Sequence, residues 1–131
     1  MLKEVFKKKN IKNIESFKTD VRKFAKDNDL IFQESDESEQ TKWVCQMKKE
    51  SKITLGLTAK AITVIIDDFS EDTLKISVGE GKWISKIAGS AATMVLAGPL
   101  LLVVGATTVT GIFGQIKLIN KINNLVEVNF D

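Results

Sequence analysis

Histidine and tyrosine are absent from this sequence, and cysteine, proline and arginine occur once each, as Cys45, Pro99 and Arg22. Without histidine the chain lacks the commonest general base and the commonest metal ligand together. A single cysteine excludes an intramolecular disulfide and fits a reducing compartment. Cys45 alternates with Trp43 and Met47, so it reads as a core thiol, not a nucleophile. The first nine residues, MLKEVFKKK, contain no apolar run of the kind a secretory signal needs. Eighteen lysines against one arginine fit the coding bias of an AT-rich bacterial or phage genome.

Signatures of chemistry are equally scarce. Asp67-Asp68 followed by Glu71-Asp72 lacks calcium-loop spacing and reads as a solvated hairpin turn. Gly79-x-Gly81 has no phosphate-binding pattern after it and reads as the break that ends a strand. Ser85 and Ser90 have lysines nearby but no supporting motif for a Ser–Lys pair. No enzyme activity, cofactor or metal is expected.

Charge is distributed unevenly. Residues 1–28 hold nine basic and four acidic side chains, net +5, and residues 29–39 are net −5. The basic segment has no interleaved aromatic pattern, so phosphate attraction without base readout makes nucleic acid an unlikely partner. A solvated helix face accounts for most of these lysines.

Periodicity divides the rest. With Asn13 as N-cap, Ile14, Phe17, Val21 and Phe24 draw one apolar stripe along a helix running to about Asn28, with Lys18, Arg22, Lys23 and Lys26 on the remaining surface. Leu30–Gln33 suggests a short strand. Trp43, Cys45 and Met47, then Ile53, Leu55 and Leu57, then Ile62, Val64 and Ile66, then Leu74, Ile76 and Val78 each alternate with period two. Strands joined by short polar turns make an antiparallel meander. The expected fold class is α+β: an N-terminal amphipathic helix on a roughly four-stranded meander over residues 1–81. An apolar helical tail, 82–131, follows and ends in a short amphipathic helix on Leu118, Ile122 and Leu125.

From Ile87 to Ile116 there are thirty residues without a charge. A membrane-spanning helix needs about 20 apolar residues, so the stretch is long enough. Trp83 and Lys86 before it, and Phe113 and Lys117 after it, stand where membrane-interface anchors belong. Ala91, Gly98 and Gly105 recur every seven residues and suit close helix packing, with Pro99 bending the helix. Lysines flank both ends equally, so charge does not choose an orientation.

Gly81 and Trp83, Lys86, Gly89, Pro99, then Gly111 or Gly114 with Gln115, and Leu118 carry a further signal. In these residues the C-terminal half resembles a loose group of small bacterial proteins with a β-rich head and a glycine- and alanine-rich apolar segment around a central proline. Gly98 stands where that group commonly has an aromatic. The resemblance covers about 40 residues and implies no activity, only that head and apolar segment belong together.

The expectation is therefore a small, self-associating bacterial protein at the cell membrane, its head in the cytoplasm and its apolar segment among membrane lipid. Its role would be membrane-perturbing, pore-forming or scaffolding. Two alternatives stand beside it: a cytoplasmic homo-oligomer or filament that buries the apolar tails between subunits, and a carrier of an apolar ligand.

Overall fold

The computed structural model describes residues 3–35, 41–49, 60–83 and 112–130. The elements are β1 (Lys3–Lys8), α1 (Ile11–Asp27), β2 (Leu30–Glu34), β3 (Trp43–Lys49), β4 (Lys60–Asp68), β5 (Thr73–Lys82) and α2 (Ile112–Asn129).

Helix α1 starts one turn earlier than Asn13. The Asn10 side chain accepts hydrogen bonds from the backbone N–H groups of Lys12 and Asn13, at 3.0 and 3.3 Å. Its extended backbone, φ −154° and ψ 115°, makes it the N-cap. At the other end Asn28 caps the helix, its side-chain amide donating to the Phe24 carbonyl at 2.8 Å. Asp29 then turns the chain with φ 54°, a left-handed conformation that aspartate tolerates better than most residues.

The strands form one antiparallel sheet in the order β1-β5-β4-β3-β2. Strands β2 to β5 follow one another as a meander, and β1 lies against β5 with Val5 opposite Ile76. α1 carries the chain from one edge of the sheet to the other. Two expectations are corrected here. The sheet has five strands, because the lysine-rich N-terminus supplies β1. In addition, no helix among the described residues is long and apolar enough to cross a membrane, so the long apolar membrane helix is not supported. The tail helix that is described, α2, has 18 residues and begins inside the uncharged stretch. The expected strand at Ile53–Leu57 lies outside the described residues.

Both helices lie on the same face of the sheet. Ile14, Phe17, Val21 and Ala25 of α1 share one core with Leu118, Ile122 and Val126 of α2 and with Phe130 just beyond it. Beneath them are Trp43, Cys45 and Met47, then Ile62, Val64 and Ile66, then Leu74, Ile76 and Val78. The Phe17 ring meets Trp43 and Phe130 edge-on, with centroids 6.4 and 5.6 Å away. Polar contacts fasten α2 at its end: Ser16 donates to Asn129 at 2.6 Å, Asn129 donates to Asp20 at 3.0 Å, and Lys7 pairs with Glu127 at 2.9 Å.

Strand alternation gives the other face to Val44, Gln46, Ala61, Thr63, Ile65 and Ser77. A polar row crosses it, Gln33 donating to Gln46 at 3.1 Å and Gln46 donating to Thr63 at 3.1 Å. These residues stand directly opposite one another in the register. β5 does not stop at Gly79 as the sequence suggests but runs through both glycines to Lys82.

Candidate functional site

Among the described residues, a compact charge cluster lies where α1 meets β2 and β3. Glu34, the last residue of β2, accepts two hydrogen bonds from the Arg22 guanidinium, at 2.7 and 2.9 Å. Trp43 on the neighbouring strand donates its indole N–H to the same carboxylate at 3.1 Å. This forked geometry is among the stronger charge-assisted pairings available to a protein. Burial is the largest influence on Glu34 and opposes ionisation. Hydrogen bonds from Arg22 and Trp43, with the charges of Arg22 and Lys18, outweigh it and hold the carboxyl below the usual range.

Lys18 completes the cluster in an unexpected way. It lies within the apolar stripe of α1 and is fully buried. Its Nζ has no hydrogen-bond partner among the described residues. Glu15 Oε1 is 3.8 Å away, close enough for attraction but too far for a hydrogen bond, and the Trp43 ring centroid is at 5.7 Å. An ammonium held this way gains from the ring face and the nearby carboxylates but loses all its hydration. The sequence reading that placed Lys18 on the helix surface is corrected. The signal was present, since Ile14, Lys18, Val21 and Ala25 follow the four-three-four spacing of one face.

Linkage follows from Glu34. A carboxylate with a lowered pKa in the folded state adds stability above its ordinary range, and that stability disappears as pH falls through the folded value. Urea midpoints measured from pH 7 down to pH 3 should therefore decline, and the decline should be shallower in Glu34→Gln. An equal acid limb in both chains would remove Glu34 from the account.

The remaining candidates are less concentrated. Cys45 is buried, and its thiol is pushed well up by burial first and by the Glu34 charge second, against a Val64 backbone hydrogen bond and the Arg22 charge. It is a neutral core thiol. At the β4–β5 turn, burial opposes ionisation of Asp68, but Lys9 and Thr41 outweigh it and lower its pKa. Asp72 accepts from Thr73 and Ser70, which lowers its pKa as well. Among the described residues, no three metal-capable side chains gather. Phe6 and Phe69 form an exposed edge-on pair beside that turn, with centroids 4.6 Å apart.

Of the residues proposed for the apolar segment, Ala91, Gly98, Pro99, Gly105 and Lys86 lie outside the described residues. Phe113 falls in the first turn of α2, and Lys117 is exposed on that helix. Trp83 is half-buried, and its ring centroid is 4.5 Å from the Lys48 Nζ, a cation–π contact on the protein itself. The membrane and transmembrane description of the chain is thus corrected on the absence of a spanning helix among the described residues. Comparison with family models, with curated proteins and with solved structures gives no match to this chain.

Proposed function

We propose that this chain is a self-associating structural module with no catalytic role, in which uncharged segments are buried between copies. The observation that supports it is the closed core under the two helices. Eighteen buried residues from α1, α2 and four strands fill that face. The uncharged residues 87–111 lie outside the described residues. A stretch with no charged side chain has no water-adapted side, so hiding it from solvent requires other surfaces. A second copy supplies the same apolar chemistry at the concentration of the protein itself. Closed symmetric association is the commonest outcome for such self-complementary patches.

The charge cluster at Glu34 fits a structural role, since Arg22 and Trp43 both bond to its carboxylate. Cys45, neutral and enclosed, adds no reactive group.

Sedimentation equilibrium of purified protein in detergent-free buffer tests the reading. A discrete oligomer is expected, and Leu101→Lys together with Val104→Lys should shift it to monomer while leaving the circular dichroism of the head intact. A monomeric parent chain would overturn the proposal, as would an oligomer indifferent to the two lysines.

A further inference from the structure

We infer that the second face of the sheet is the docking surface for this chain's own segment 84–111, which makes the protein three-layered. The two described helices both lie on the first face. On the opposite face, however, Ala61, Thr63 and Gln46 are 0% exposed, Val44 is 2% and Ser77 is 3%. In-plane neighbours do not remove strand side chains from water on an open face, because side chains stand perpendicular to the sheet. Phe6 and Ile31, on the edge strands of that face, are 52% and 39% exposed, so the dry part lies over β3, β4 and β5, and it carries a cover.

Three features point to 84–111 as the occupant. The first is where the chain leaves the sheet. β5 continues its alternation through Gly79 and Gly81 to Trp83, and the Trp83 ring lies over Lys48, whose neighbour Met47 faces the core and which therefore belongs to the second face. The chain is already on that side where the described residues stop. The second is composition. The floor offered at Ala61, Thr63, Ser77, Gly79 and Gly81 is made of small side chains, which permit close approach of another backbone. The stretch 84–111 has one charge, at Lys86, and abundant glycine and alanine to meet such a floor. The third is reach. Five strands at about 4.8 Å spacing make a sheet about 20 Å across. Twenty-eight residues exceed that width even at the shortest common rise of about 1.5 Å per residue. Segment 50–59 has only ten residues and carries Glu50 and Lys52, which suits the cover less well.

This placement goes beyond self-association and stands without it. The segment would turn one side to the sheet and leave the other for a second copy. The test uses the full chain in a Cys45→Ala background. Ser77→Cys is combined in turn with Ala91→Cys, Ala97→Cys or Gly105→Cys and treated with a short bismaleimide. At least one pairing should give an intrachain crosslink, located by peptide mapping, several-fold above a control pairing with Lys23→Cys on the exposed side of α1. Crosslinks no more frequent than the control would overturn the inference, and so would crosslinks that join two chains. Should these variants fail to fold, hydroxyl-radical footprinting of the unaltered chain replaces them. Val44 protected as strongly as Val64 supports a cover, and Val44 oxidised like the exposed Val128 overturns it. Oligomer mass is read separately, so a monomer that crosslinks internally overturns only the assembly.

Discussion

Trp43→Ala should destabilise the protein by about 3–5 kcal/mol, the usual cost of emptying a large buried aromatic site. Domains of this size have about 5–15 kcal/mol in total, so the variant should be near its folding threshold at room temperature. Trp43 is completely buried on the first face, with Phe17 against its ring edge and Lys18 near its face. Its removal also takes the indole N–H from Glu34 and the ring from the Lys18 ammonium. Core packing and the charge cluster therefore fail together. Urea denaturation followed by far-ultraviolet circular dichroism measures the loss, with Trp83→Ala as the comparison. Trp83 is only half-buried and should cost far less. A Trp43→Ala loss no larger than that of Trp83→Ala would show that the α1–β3 contact is not central.

Lys18→Met should act in the opposite direction, raising stability by about 1–3 kcal/mol, the range for relieving a buried polar group of its missing partner. Methionine keeps an unbranched chain of similar length, so packing against Trp43 and Ile14 survives while the desolvated charge is removed. Replacing buried charge by apolar groups of matched shape is often stabilising in this way. The same variant should make the acid limb shallower, because the Lys18 charge helps to hold the Glu34 pKa down and its loss brings that pKa closer to the unfolded value. Both readings come from one set of urea melts at pH 7 and pH 4. Lower stability in Lys18→Met would mean that the ammonium has a hydrogen-bonded partner in solution.

How much of this was legible in the sequence depends on how strongly each element advertises its buried side. α1 was readable because Ile14, Phe17 and Val21 recur at helical spacing, and only its cap moved, from Asn13 to Asn10. The inner faces of β3, β4 and β5 were equally plain, since Trp43-Cys45-Met47 and Leu74-Ile76-Val78 alternate without interruption. β1 was not, because Val5 is its one apolar side chain on the helix-covered face, and lysines are poor evidence for a strand. Its pairing depends on β5, some seventy residues further on, and no local pattern reports that. Lys18 was missed because a lysine on a helix is expected at the surface, although its position in the stripe said otherwise. The uncharged run suggested a membrane span through its length and through the aromatic and lysine residues Trp83, Lys86, Phe113 and Lys117 at its ends. Length states that a segment must avoid water and does not say which apolar surface receives it.

The seating of α2 against α1 also has a consequence for how the protein is made. Ser16 bonds to Asn129 and Lys7 to Glu127, across 113 and 120 residues of chain. On the ribosome, the first helix can settle on the sheet once β5 has emerged, but the side it shares with α2 waits for the last helix. The uncharged residues emerge during that wait, at about 5–20 residues per second. For a few seconds of each synthesis that uncharged stretch is outside the ribosome before α2 has completed the first face. A chain truncated before α2 should therefore lack the Leu118, Ile122, Val126 and Phe130 part of the first-face core.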